Sequence, residues 1–139
     1  MMFTSFLALL ALPALTLAVP TARSTERVDY TTWPYDTPSN GIANVACSNL
    51  PYATLGQIPG YPNIAGSHVV SGYGSPGCGT CWQITYEGRS VNVLAVDTYA
   101  PGWNLALPTM QNLLGSNSTN LPEVQATVVQ VDASACGVH

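Results

Sequence analysis

The chain contains no lysine, and its basic side chains at neutral pH are the three arginines Arg23, Arg27 and Arg89. Its formal net charge is −4. Binding to nucleic acids or to anionic membrane surfaces requires clustered basic side chains that neutralise phosphates. The composition therefore excludes nucleic acids and membrane surfaces as partners.

Charge of either sign is scarce, because only 7% of the residues are charged, whereas the chain has 12 glycines and 11 prolines. Few charges and many turn-forming residues predict a polar, weakly charged surface. Such a surface suits neutral ligands such as sugars, and it also suits adsorption at interfaces. Composition does not choose between these two roles.

A long apolar run is present near the N-terminus, over residues 6–17, and it ends in small residues. This pattern predicts a secretory signal peptide over residues 1–18, although its first residues lack the usual positive charge. A membrane anchor is the alternative interpretation, but Pro13 interrupts a run that is already short for a membrane span. We therefore expect a secreted, extracellular protein.

The chain after the signal peptide has the length of one domain. Residues 19–29 are polar and show no periodicity, which predicts a flexible leader or a short pro-segment. Residues 30–139 are then expected to form the domain itself. Asn117 begins a glycosylation sequon on a predicted loop, a site that a secreted chain can use.

Four cysteines in a secreted chain predict two structural disulfides. They are Cys47, Cys78, Cys81 and Cys136, for which three pairings are open. Cys78 and Cys81 form a CxxC, but the surrounding sequence is not the βαβ pattern of a redox motif. A zinc site is disfavoured because neither histidine has ligand spacing, so we expect no metal and no other cofactor.

Short apolar segments separated by turn residues predict a small closed β structure. Residues 81–86 and 90–96 flank a three-residue loop with a central glycine, as a β-hairpin requires. Alternation over residues 124–132 predicts a further strand. Residues 108–114 begin with proline and precede a glycine, which predicts a short helix.

Asp97 is the strongest candidate for a functional side chain, since it directly follows a nearly all-apolar strand. An acid at a strand end is held by a rigid scaffold and still reaches solvent. The structural alternative is that Asp97 caps the loop after it. This loop, residues 98–105, carries two large aromatic residues.

These segments resemble the cerato-platanin family of small secreted fungal proteins. The similarity covers nearly the whole chain after the signal peptide and includes the four cysteines in their order. It rests on ACSN at 46–49, TLG at 54–56, PGYPN at 59–63, SPGCGTCW at 75–82, VD at 96–97, GWNL at 102–105 and VQVDASAC at 129–136. The polar leader is longer than the family's.

The resemblance implies a mainly β fold, a six-stranded double-ψ β-barrel with one to three short helices and the pairs Cys47–Cys78 and Cys81–Cys136. It also implies a distant relationship to the barrel domain of expansins and to one group of endoglucanases. Known activities of the family are binding of chitin (N-acetylglucosamine) oligomers, loosening of polysaccharide without hydrolysis, self-assembly at air–water surfaces and triggering of plant defence.

The expected function is therefore non-enzymatic binding and loosening of chitin or other cell-wall polysaccharide, with elicitation of plant defence. A plant immune receptor and further copies of the chain are additional expected partners. The expected location is extracellular, including the fungal cell wall.

The resemblance also implies site residues. Asp97 matches the acid shared with the expansin barrel, where it would bond to sugar hydroxyls in a shallow groove. Asn104 and Ser48 match polar positions near that groove, and Asp36 is a further groove candidate. Among the loop aromatics, sugar stacking is expected from Tyr61 and also from Tyr73, Tyr99 and Trp103. Trp82, which lies in a strand, is expected in the core.

Two other functions stay open at this point. A surface-active, self-assembling wall protein without a sugar site would need exposed apolar loops, such as residues 58–64 or 105–107. A weak endoglucanase would need a second carboxylate roughly 5–9.5 Å from Asp97. Asp36 is the acid with a plausible position for that role.

Overall fold

The computed structural model describes residues 22–139, so the predicted signal peptide and residues 19–21 lie outside the described residues. The strands are β1 Arg23–Thr31, β2 Ile64–Ser67, β3 Cys81–Tyr86, β4 Arg89–Thr98, β5 Trp103–Ala106 and β6 Val124–Val131. The α-helix is α1 Leu107–Leu114, and single 3₁₀ turns occur at Ile42–Asn44, Leu55–Gln57 and Ala133–Cys136. No helix in this part of the chain is long and apolar enough to cross a membrane.

The six strands close into a barrel in the order β1-β5-β2-β4-β3-β6. β1 pairs with β5 in parallel, as does β2 with β4, and the other pairs are antiparallel. Disulfides join Cys47 to Cys78 and Cys81 to Cys136. The barrel fold and the cysteine pairing that the resemblance implies are therefore confirmed.

Local sequence signals predicted three elements correctly. The β3–β4 hairpin is confirmed, but its turn has two residues and not the predicted three, because Arg89 already pairs with Tyr86; the φ angles of Glu87 and Gly88, 47° and 79°, are those of a two-residue hairpin turn. α1 has Pro108 in its first turn and stops at Gly115, whose φ of 63° forms a left-handed cap. β6 ends at Val131, one residue before the predicted end.

The predicted flexible leader is wrong from Arg23 onward, because Arg23–Thr31 forms β1. The first part of β1 pairs with β6 and its last part with β5. Backbone hydrogen bonds to two distant strands hold this polar segment extended, and its own composition does not reveal them. Residues 23–29 therefore belong to the barrel, and the domain begins before residue 30.

The barrel interior forms the first of two apolar cores. Its strand residues include Val28, Ala65, Ile84, Val93, Ala95, Trp103, Leu105, Ala126 and Val128. Trp103 is fully buried, and its ring centroid lies 5.3 Å from that of Trp82, which packs half-buried against this core. The expectation that Trp103 stacks on sugars from a loop is wrong, because β5 pairs with β1 and β2 and turns this side chain inward.

The second core lies outside the barrel, where residues 32–63 cover the outer faces of β2, β4 and β5. Its members include Tyr35, Val45, Leu55, Ile58, Ile64, Leu94, Val96 and Ala106. Ile58, Ile64 and Leu105 are no more than 2% exposed. The predicted exposed apolar loops at 58–64 and 105–107 are therefore wrong, since these side chains fill the two cores.

Candidate functional site

Four residues stand side by side across adjacent strands β4, β2, β5 and β1. The register pairs Asp97 with Gly66, Gly66 with Asn104, and Asn104 with Asp29. We call these four residues the polar row. Paired residues share one face of a sheet and neighbouring strands lie about 4.8 Å apart, so the row extends about 15 Å along the outer surface, halfway round the six-stranded barrel.

A β-bulge brings Asp97 into this row. Ala65 pairs with Ala95, but the next residue, Gly66, pairs with Asp97, so that Val96 is skipped. Ala95 lies in the inner core and Val96 in the outer core. Strict alternation would therefore point Asp97 into the barrel, whereas the bulge turns its carboxylate to the outer face.

The Asp97 carboxylate accepts three hydrogen bonds. Oδ1 accepts from the backbone N–H groups of Ala46 and Thr98, both at 2.9 Å, and Oδ2 accepts from the Tyr35 hydroxyl at 3.0 Å. Capping of the loop that follows is therefore one part of the role of Asp97. A carboxylate has about four lone-pair sites, so Asp97 keeps one acceptor position for a ligand on its partly exposed side.

Gly66 makes room for the Tyr35 hydroxyl. A Cβ built on Gly66 would lie 2.7 Å from the Tyr35 hydroxyl oxygen and 3.1 Å from the Cβ of Tyr99. A carbon atom rarely comes this close to a non-bonded oxygen or carbon atom, so a side chain at this position would force its neighbours to move. Sequence reasoning did not single out Gly66, because its importance arises from segments that meet only in the folded chain.

Tyr61 and Asp36 extend this group of residues beyond Asp97. The Tyr61 hydroxyl donates to the backbone oxygen of Tyr35 at 2.7 Å. Burial, and after it the negative charge of Asp36, raises the pKa of Tyr61. Burial also raises the pKa of Tyr35 far above its usual value, reinforced by the charge and hydrogen bond of Asp97. Both phenols therefore stay protonated donors, and Asp36 lies exposed beside them.

Ser48 reaches the same region through the backbone. Residues 46 and 47 are fixed to the end of β4, since the Ala46 N–H binds Asp97 and the Cys47 N–H binds the Val96 oxygen at 2.9 Å. Ser48 follows directly and is half-buried. Neither its hydroxyl nor the Asn104 amide bonds to another residue of the described chain, so both are polar groups open to a ligand.

Exposed aromatic side chains belong to segments that border this region. Trp33 is 65% exposed and lies two residues before Tyr35. Tyr73 is 75% exposed, and its neighbour Gly74 donates its N–H to Asn49. Sequence reasoning missed Trp33 as a surface aromatic, because a tryptophan beside a predicted strand is more often a core residue.

A second polar cluster lies at the open end of the barrel. Glu26 contacts His68 Nε2 and accepts a hydrogen bond from the Trp103 indole at 3.2 Å. Burial pushes the Glu26 pKa upward, but hydrogen bonds from Ser24, His68 and Trp103 and the charge of His68 outweigh it, so its pKa lies below the usual value. Sequence reasoning missed this cluster because it placed Glu26 in the leader.

Neither cluster has the composition of a metal centre. Among residues 22–139, no group of three or more histidine, cysteine, aspartate or glutamate side chains could hold a metal ion. The polar row contains a second carboxylate, Asp29, but β1 and β4 lie on opposite sides of the closed barrel, so the Asp29 carboxylate faces away from that of Asp97. Paired glycosidase carboxylates lie roughly 5–9.5 Å apart.

Comparisons with known proteins agree with this architecture. The family model for cerato-platanin matches residues 27–138. Cerato-platanin of Ceratocystis fimbriata f. sp. platani is 37% identical over 102 residues, which cover 68% of this chain and 75% of that protein. The heat-stable 19 kDa antigen of Coccidioides immitis (strain RS) is 33% identical over 130 residues, 88% of each chain.

Two solved structures are similar over most of the chain. The crystal structure of cerato-platanin 2 from M. perniciosa gives a TM-score of 0.76 at 30% identity, covering 83% of this chain and 100% of that one. The solution structure of the fungal elicitor Cerato-Platanin gives 0.70 at 35% identity, covering 79% and 95%. The chain therefore belongs to the cerato-platanin family.

Proposed function

We propose that this protein is secreted and binds chitin oligomers or related cell-wall polysaccharide along the polar row, without cleaving it. The observation that carries the proposal is the row itself. Asp97 offers a fixed acceptor, Asn104 offers both donors and an acceptor, and four adjacent strands hold them. Sugar hydroxyls need donors and acceptors at fixed spacing, and Asp97 and Asn104 lie two strand spacings, about 10 Å, apart on either side of the buried Gly66.

The surrounding side chains support a sugar ligand. The Ser48 hydroxyl lies near the Asp97 end, and Asp36 and Tyr61 lie beyond it. Trp33 and Tyr73 supply exposed aromatic faces, which pack against the apolar faces of sugar rings. No basic side chain of the described residues is paired with Asp97, whereas Arg27 forms an ion pair with Asp29 at the other end of the row.

Binding without hydrolysis is supported by how Asp97 is held. Its three internal donors fix it as an acceptor, and Asp29, on the opposite side of the barrel, cannot form a catalytic pair with it, which leaves Asp36 as the candidate partner carboxylate. Loosening would then arise because the protein competes for the hydrogen bonds that hold polysaccharide chains together. The protein would act outside the cell, within or near the fungal wall.

The test is an NMR titration of the oxidised protein with N-acetylglucosamine oligomers. We expect saturable shifts at Asp97, Asn104 and Ser48. Asn104→Ala should weaken binding about tenfold, the loss of one to two hydrogen bonds. Asn120→Ala removes an exposed amide outside the row and should bind as the unaltered protein does. Absence of shifts at millimolar ligand would reject the polar row as a sugar site.

Surface activity is a second candidate function, favoured by the exposure of Trp33 and Tyr73. These two aromatics could adsorb at an air–water interface and bring copies of the chain together. Trp33→Ser with Tyr73→Ser should then raise surface tension towards that of pure buffer, whereas Asn104→Ala should not. An unchanged surface tension in the double variant would reject this role.

Perception by a plant is a third element of the proposal, because a relative with a similar fold is described as a fungal elicitor. We infer that a plant immune receptor recognises this protein as well. Infiltration of the protein into leaves, with the reduced and unfolded chain as control, tests the inference. Equal responses to both forms would show that the folded surface is not what the plant perceives.

A further inference from the structure

A cavity of about 460 Å³ lies at the end of β4 opposite to the polar row. Ser90 and Asn92 line it and precede Asp97 by five to seven residues. A strand rises about 3.3 Å per residue, so these two residues are about 17–23 Å from Asp97. It is therefore separate from the polar row, although the two share a strand.

Three amide side chains converge on this cavity from different parts of the chain. Asn92 comes from β4, Asn112 from α1, and Asn63 from the residue before β2. We call the cavity the amide pocket. Each amide offers two donors and one acceptor, and Ser90 adds a hydroxyl. No aspartate, glutamate, lysine, arginine or histidine lines it. Such a pocket favours a neutral ligand with hydroxyl and amide groups.

The Asn92 side chain is incompletely satisfied. Its Nδ2 donates to the backbone oxygen of Ala135 at 3.4 Å, and this contact distinguishes the amide nitrogen from the amide oxygen. Its Oδ1 is buried and has no donor within the described chain. Buried acceptors without a donor destabilise a protein, and most are satisfied. Because this oxygen is inaccessible to solvent, a ligand O–H or N–H would supply the missing donor only if the Asn92 side chain turned into the amide pocket.

The pocket is built before any ligand arrives. The buried Thr109 hydroxyl donates to the backbone oxygen of Pro62 at 2.9 Å and lies 2.9 Å from the side-chain amide of Asn63, which holds that amide in place. Gly60 packs so closely on Cys136 that a Cβ would lie 3.1 Å from the Cys136 oxygen. The Cys81–Cys136 disulfide ties this wall to β3. Preformed cavities of roughly 300–1,000 Å³ with a few convergent polar groups are typical of small-ligand sites.

We propose that the amide pocket is a second binding site, which takes the end of a neutral saccharide bearing hydroxyl and acetamido groups. The choice of saccharide rests on the function proposed above, whereas the neutral, hydrogen-bonding character of the ligand rests on the pocket alone. The protein then carries two sugar sites at opposite ends of one strand.

Titration of ¹⁵N-labelled oxidised protein with the N-acetylglucosamine trimer tests the proposal. The side-chain amide signals of Asn63, Asn92 and Asn112 should shift saturably, together with the backbone signals of Ala135 to Gly137. Asn112→Ala and Asn92→Ala should each weaken binding at the pocket about tenfold. Asn112 is exposed on α1, so its alanine variant keeps the fold. Asn104→Ala is the matched control and should leave the pocket signals unchanged.

The outcomes separate this site from the polar row. Shifts at the three pocket amides without shifts at Asp97 and Asn104 would support the pocket and reject the row. Shifts confined to the row would overturn the pocket and leave the proposed function standing. Pocket shifts that stay linear in ligand concentration, or that Asn112→Ala leaves unchanged, would also overturn the second site.

Discussion

The Tyr35 hydroxyl donates a hydrogen bond to Asp97 Oδ2 at 3.0 Å, although the two residues are 62 positions apart in the sequence. Oδ1 of the same carboxylate accepts from the Ala46 N–H. Asp97 thus fastens both ends of residues 35–46 to the rim of the barrel, while one acceptor position faces outward. Asp97 contributes both to the folded structure and to the proposed binding. The stability of an Asp97 variant must therefore be measured before its ligand binding is interpreted.

Asp97→Ala should lower the free energy of unfolding by about 2–4 kcal/mol, because it leaves the buried Tyr35 hydroxyl and the Ala46 N–H without an acceptor. Guanidinium unfolding of the oxidised protein measures the loss. Asp36→Ala, at an exposed position, is the control and should change it by less than about 0.5 kcal/mol. Equal stability of the two variants would show that the Asp97 bonds contribute little.

Tyr35→Phe should change how stability depends on alkaline pH. Burial and Asp97 raise the Tyr35 pKa in the folded state. The stabilisation this gives is complete below the unfolded tyrosine pKa of about 10, and it is lost as the pH rises above that value. Urea unfolding across the alkaline range should therefore show a shallower decline in Tyr35→Phe than in the unaltered protein. Parallel declines would argue against the coupling of Tyr35 to Asp97.

Gly66→Ala should destabilise the protein by about 1–3 kcal/mol, since the new methyl group overlaps the Tyr35 hydroxyl oxygen. In a Tyr35→Phe background that oxygen is absent, so the same substitution should be less damaging. A double-mutant cycle measures this difference as a coupling energy. Gly41→Ala has its nearest neighbour at 3.9 Å and serves as the control. If the two substitutions have additive effects on the free energy of unfolding, the strain does not arise from contact with the Tyr35 hydroxyl.

The sequence allowed the hairpin, α1 and the barrel class to be predicted, because each rests on local spacing or on family motifs, whereas the binding role of Asp97 stays a prediction. It did not reveal β1, β2 or β5. Ile64–Ser67 and Trp103–Ala106 are only four residues long, and strand pairing with distant segments determines their conformation. The same holds for Gly66 and Asp29, whose place beside Asn104 depends on register across four strands and on a bulge.

Glu26→Gln should reduce the loss of stability at acidic pH. The hydrogen bonds of Ser24, His68 and Trp103 hold the folded pKa of Glu26 below its usual value. Its contribution is therefore present above the unfolded glutamate pKa of about 4.3, and it is lost as the pH falls through the lower folded value. Acid titration followed by tryptophan fluorescence measures the transition, with Glu87→Gln as the exposed control. A transition at the same pH in all three proteins would contradict the role of Glu26.

Two sugar sites on one molecule predict that the protein cross-links chitin. A molecule bound through the polar row presents Ser90 and Asn92 of the amide pocket about 17–23 Å from Asp97, towards a neighbouring chain, and the second binding step then benefits from a high local concentration. Suspended chitin particles should therefore clump with the unaltered protein, as measured by light scattering. Asn104→Ala and Asn112→Ala each retain one site. Each variant should therefore bind the particles without joining them, so that the particles stay dispersed. Clumping by either variant at the level of the unaltered protein would show that one site, or self-association through Trp33 and Tyr73, is sufficient for cross-linking.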